Sequence, residues 1–85
     1  MVSEEARGNL RKHGVAFADA VGALMDPLAS TVSDPPPDEE RYLTLGTDYR
    51  ERLVVVSWTT REDRIRIISA RRATRSERRR YQGES

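Results

Sequence analysis

Apolar residues recur with helical spacing in the first third of the chain and with strand spacing after it. Phe17, Ala20, Val21 and Leu24 follow an i, i+3, i+4, i+7 pattern until Asp26-Pro27 ends the run, which predicts an amphipathic helix. A short helix precedes it. Ser3 is placed to cap its start, Glu4 and Glu5 fall where the helix dipole favours acids, and Arg11, Lys12 and His13 come just before Gly14. Leu28 to Ser33 predicts a short strand or extended connector. Asp34 to Glu40 predicts a loop, because its consecutive prolines lack amide donors and restrict their neighbours.

Three β-like runs follow, Arg41 to Thr47, Leu53 to Thr60 and Arg64 to Ala70, joined by short polar connectors; this spacing predicts an antiparallel meander. Period-two geometry sets Ile65 and Ile67 against Arg64 and Arg66, and Leu43 and Leu45 against Tyr42 and Thr44. The sheet is therefore expected to turn one greasy face to the helices and to keep one polar, cationic face. Leu53 to Val56 is apolar on both sides, so the second face is also expected to be partly covered. Thr74 and Glu77 have the spacing of a capping box and open a last helix bearing Arg75, Arg78, Arg79, Arg80 and Tyr81. The expected fold is a single α+β domain over residues 1–85: two helices, an antiparallel meander of three to four strands, and a C-terminal helix.

The 85-residue length leaves no room for a dinucleotide-binding fold or a barrel of alternating strands and helices. With no cysteine and one histidine, the chain can build neither a disulfide framework nor a thiolate or multi-histidine zinc site. No apolar run approaches the roughly 20 residues that span a bilayer, and the N-terminus lacks the pattern of a signal peptide. The expected location is a reducing cytoplasm, away from any membrane.

Net charge is +1, but it is unevenly spread. Residues 1–60 carry an excess of four acids and residues 61–85 an excess of five arginines. Fourteen of the fifteen cations are arginine, whose planar fork grips phosphate at two points and stacks on bases. A polyanion is the natural partner of the last third, and the plain alternative is a solvated charged surface.

Three stretches together resemble the BrnT toxin family: NLRKHGVAFADA with the following DP (Asn9 to Ala20, Asp26-Pro27), ERYLTLG (Glu40 to Gly46), and RLVVVSWTTREDRIRIISARRATRSERRRY (Arg52 to Tyr81). The resemblance implies a RelE-like fold and a ribonuclease toxin of a type II toxin-antitoxin module that inhibits translation. It also implies neutralisation by a BrnA-type antitoxin that binds operator DNA. Family members usually open with a strand before the first helix. Here the chain opens almost directly on VSEEARGN, so that strand is expected to be missing.

Cleaving RNA without metal requires the ribose 2′-hydroxyl to attack the adjacent phosphate, with cations stabilising the growing charge and a group to carry the proton. Arginine supplies the charge and cannot act as the base. No cofactor is expected. A two-metal site is disfavoured because the densest acid cluster, Asp38 to Glu40, is expected to lie away from the basic surface. The expected catalytic group is Arg64, Ser69, Arg71 and His13. Each has a plainer reading: His13 as a cap on the end of a helix, Ser69 as a small packed residue, and the arginines as solvated charge. The expected RNA contacts are Arg50, Arg52, Trp58, Thr59, Arg66, Arg72, Arg75, Arg78 and Tyr81. Trp58 stands either as a stacking platform or as core. The rival to an enzyme is a non-catalytic or degenerate module that binds RNA, the ribosome or the antitoxin.

Overall fold

The computed structural model describes residues 3–34 and 40–83; the expected proline loop falls largely on residues 35–39, outside the described residues. Helix α1 spans Glu4–His13. The Ser3 side chain accepts from the Ala6 amide at 3.1 Å, and Gly14, at φ 71°, ends the helix in the left-handed conformation while its amide bonds back to Leu10. Helix α2 spans Phe17–Met25 and stops at Asp26, which precedes Pro27. The strands are β1 (Ser30–Asp34), β2 (Arg41–Thr47), β3 (Leu53–Arg61) and β4 (Arg64–Arg72). Helix α3 (Arg75–Tyr81) starts with the expected capping box between Thr74 and Glu77.

The four strands pair antiparallel in chain order, β1-β2-β3-β4, and with the three helices they make the expected α+β fold. Glu62 and Asp63, at φ 53° and 63°, form the two-residue turn between β3 and β4, where positive φ at both positions matches the twist of the strands. The register slips at Ser57/Trp58, a bulge that changes the alternation of β4.

One core lies between the first two helices and the sheet: Val15, Ala20, Ala23, Val54, Val56 and Ala70, flanked by Leu24, Trp58 and Ile67. Gly46 permits the approach of α2, since a Cβ there would lie 2.7 Å from the Ala23 carbonyl oxygen. Leu45, Leu53 and Val55 form a second cluster, packed by Leu43, Ala73 and Tyr81. The expectation of one greasy and one cationic face is therefore corrected. In β2 it is Thr44 and Gly46 that accompany the helix side, while Leu43 and Leu45 point to the other cluster, because the segment that leads into α3 and the helix end at Tyr81 cover that side.

Candidate nucleic-acid interface

Antiparallel pairing sets Arg41 opposite Thr59 and Thr59 opposite Arg66, so the three residues form one row across β2, β3 and β4. Neighbours in such a row share a face and lie within side-chain reach of one another. They line a cleft of about 450 Å³ at the end of the sheet, together with Thr60, Arg61 and Ile68. Glu5, from the first turn of α1, and Glu40, just before β2, complete its wall.

Hydrogen bonds fix this wall. The Thr59 hydroxyl donates to the Glu40 carbonyl at 2.6 Å, and a guanidinium nitrogen of Arg66 donates to Glu5 at 2.6 Å. Both members of that ion pair are about half exposed, at 44% and 49%, so the contact is open to competition from solvent or a ligand. The Tyr42 hydroxyl donates to the Glu40 carboxylate at 3.1 Å, and this bond, with the nearby negative charge, raises the Tyr42 pKa. Tyr42 stacks on Trp58 with centroids 4.6 Å apart. The Trp58 indole N–H in turn donates to Thr44 at 2.8 Å, and Thr44 meets Thr31 at 2.7 Å. A polar and aromatic chain thus ties the cleft to the interior.

Of the residues singled out in the sequence, Thr59 and Arg66 lie in the cleft. Arg64 stands beside it, paired with Arg61 across the β3–β4 turn. Trp58 sits one row behind, its ring against Tyr42 and the core, with its N–H satisfied internally. The others are elsewhere. His13 ends α1, about 12 Å along the helix from Glu5 at the usual rise. Arg71 lies five residues along β4 from Arg66, about 17 Å away, and holds Glu77 through two bonds of 2.8 Å. Ser69 is opposite Ser57, and Arg72 opposite Val54. Arg50 and Arg52 occupy the hairpin at the other end of the sheet, where Arg52 is gripped by the buried Asp48 carboxylate at 2.8 Å and donates to the Gly14 carbonyl. Arg75 and Arg78 are exposed on α3. Tyr81 donates to Asp26 at 2.5 Å, a bond that lowers the Asp26 pKa and raises that of Tyr81, and its hydroxyl also meets that of Thr47. The guanidinium groups thus do not converge on a single pocket.

Six residues of the cleft escaped the sequence reading, four of them charged: Glu5, Glu40, Arg41 and Arg61. Glu40 had been expected away from the basic surface, and instead it lies among three arginines. The cleft can hold a phosphate on guanidinium groups and offers carboxylates that can carry a proton. Among the described residues no group of three or more His, Cys, Asp or Glu side chains is placed to hold a metal ion.

Residues 3–77 of the chain match the family described as the ribonuclease toxin BrnT of a type II toxin-antitoxin system. The chain belongs to the BrnT family. Comparison with curated proteins gives no match. BrnT membership makes RNA the substrate class and an antitoxin protein the partner. Among the described residues of this BrnT chain, no helix is long and apolar enough to cross a membrane.

Proposed function

We propose that the chain is a metal-independent endoribonuclease that works in the cleft between the start of α1 and the β3–β4 turn. The observation that carries this reading is the row Arg41, Thr59, Arg66 in register, with Glu5 and Glu40 in the same wall. A scissile phosphate takes the place of Glu5 at Arg66, and Arg61 and Arg41 extend the cationic surface, with Arg64 gripping a flanking phosphate. Displaced from Arg66, the Glu5 carboxylate accepts the proton of the 2′-hydroxyl as that oxygen bonds to phosphorus. The guanidinium groups stabilise the charge that builds on the phosphoryl oxygens. The bond to the 5′ oxygen breaks, that oxygen leaves with a proton from solvent, and a 2′,3′-cyclic phosphate remains.

Cleaving RNA in this way inhibits translation in the cytoplasm. The proposed partner is a BrnA-type antitoxin, which also binds operator DNA. The test is cleavage of RNA by purified protein in the presence of a chelator. Arg66→Ala and Glu5→Gln are each expected to lower the rate by roughly 10² or more, within the range of general acid-base catalysis. Wild-type rates in both variants would move the chemistry elsewhere, and loss of cleavage on chelation would end the metal-independent reading.

The placement of His13 outside the cleft favours a second reading, in which the same row binds RNA without cutting it. Binding that weakens steeply with salt while the RNA stays intact selects that alternative.

A further inference from the structure

The two edges of the sheet are treated differently. On β4, the side chain of Asn9 bonds both the amide and the carbonyl of Ala70, the register slips at Ser57/Trp58, and Arg64, Arg66, Arg71 and Arg72 stud the strand. Covering groups, bulges and charges are the usual devices that stop another strand from pairing with an edge. Among the described residues the β1 edge shows no bulge and no such covering bond, its one charged position is Asp34 at the strand end, and Val32 is 52% exposed.

Beside that edge runs an apolar groove of about 120 Å³, similar to cavities of about 150 Å³ that hold a benzene ring. Val32 lies opposite Leu43 and Ser30 opposite Leu45, and Val55 floors the groove. Arg80 of α3 stands exposed at its lip, whereas Glu77, the other charged lining residue, is already held by Arg71. The rim is therefore cationic. The groove shares no lining residue with the cleft.

We infer that an extended segment of the antitoxin adds to β1 as a fifth strand. It sets apolar side chains, two residues apart, into the groove and passes a carboxylate by Arg80. The inference rests on the reading of the chain as a toxin with an antitoxin partner. The occupant is acidic because the rim is basic, and extended because the open strand edge offers backbone donors and acceptors.

The experiment measures affinity between the full chain and the antitoxin encoded in the same operon. Val32→Lys, a charge on the open edge, is expected to weaken binding at least 30-fold, and Arg80→Glu at least tenfold. Ile65→Lys, on the other edge, stays within threefold of wild type. Hydrogen exchange of the wild-type complex is expected to slow at the β1 amides and not at the outer β4 amides, a readout that needs no variant. Val32→Lys and Arg80→Glu both binding within threefold of wild type would overturn the inference. So would an equal loss from Ile65→Lys, or a free chain that pairs with itself through β1 and loses only that pairing in Val32→Lys. RNA cleavage by the free Val32→Lys and Arg80→Glu proteins is expected to match wild type. Absence of cleavage in wild type would strike the proposed enzyme and leave the affinity comparison standing.

Discussion

Asn9 bonds Ala70 twice: its amide nitrogen donates to the Ala70 carbonyl at 2.8 Å, and its carbonyl accepts from the Ala70 amide at 2.9 Å. One side chain of α1 thereby replaces the missing neighbour of an edge strand. The same amide nitrogen also donates to the Val15 carbonyl at 2.8 Å, which fixes the chain between the two helices.

Asn9→Ala is expected to destabilise the fold by about 2 to 4 kcal/mol, because it strands buried backbone groups that have no other partner of this kind. In a domain of this size that corresponds to a fall in Tm of roughly 10 to 25 °C. Denaturant unfolding of both proteins checks it. A loss below about 1 kcal/mol would mean that water or a shift of α1 replaces the bonds.

Glu77 makes stability depend on acid. Its carboxyl is held down to about 2, first by the bonds from Arg71 and also by the Thr74 amide, against an opposing effect of burial. The unfolded chain binds a proton more readily than the folded one between the ordinary value of about 4.5 and that lowered value. Glu77 therefore contributes its full stability above about pH 4.5 and loses it as the pH falls toward 2. Because Arg71 is 42% exposed, solvent screening limits the contribution to about 1 kcal/mol. Urea melts of Glu77→Gln across this window are expected to show a flatter profile than wild type, with the two meeting near pH 2.

Two glycines separate packing from helix propensity. Gly46→Ala drives a Cβ to within 2.7 Å of a backbone oxygen, and is expected to cost about 1 to 3 kcal/mol. Gly8, inside α1, has nothing within 4 Å of an added Cβ, so Gly8→Ala is expected to gain about 0.5 to 1 kcal/mol. Thermal melts of the pair should move in opposite directions; movement in the same direction would contradict the packing of α2 on β2.

Arg61 tests the extent of the phosphate surface. Removing one phosphate contact to single-stranded RNA reduces the slope of log K against log salt by about 0.7. Titrations of Arg61→Ala at several salt concentrations are expected to show that change, while Arg52→Ala, whose cation is committed to Asp48 and Gly14, should keep the wild-type slope. The reverse pattern would place RNA at the other end of the sheet.

Much of the architecture was legible along the chain because its signals are local. The Ser3 cap, the stop at Gly14, the capping box at Thr74 and Glu77 and the three main strands each depend on residues a few positions apart. The site was less legible. Arg71 read as a free clamp, yet the Glu77 carboxylate that caps α3 also receives its guanidinium. Glu5 meets Arg66 across 61 residues of sequence, a distance over which spacing carries no information.

By itself, the sequence determined the element order, the antiparallel meander and the cationic last third, since composition and short-range periodicity encode these directly, and the kinship with ribonuclease toxins came from the resemblance of particular stretches, Asn9 to Ala20, Glu40 to Gly46 and Arg52 to Tyr81. Only the tertiary structure decided which charges meet. Register aligned Arg41, Thr59 and Arg66, the packing of α1 against the β4 edge brought Glu5 to them, and two other arginines were spent elsewhere, Arg52 on Asp48 and Arg71 on Glu77. The physical reason is that a cation far along the chain has no address until strands pair and helices dock.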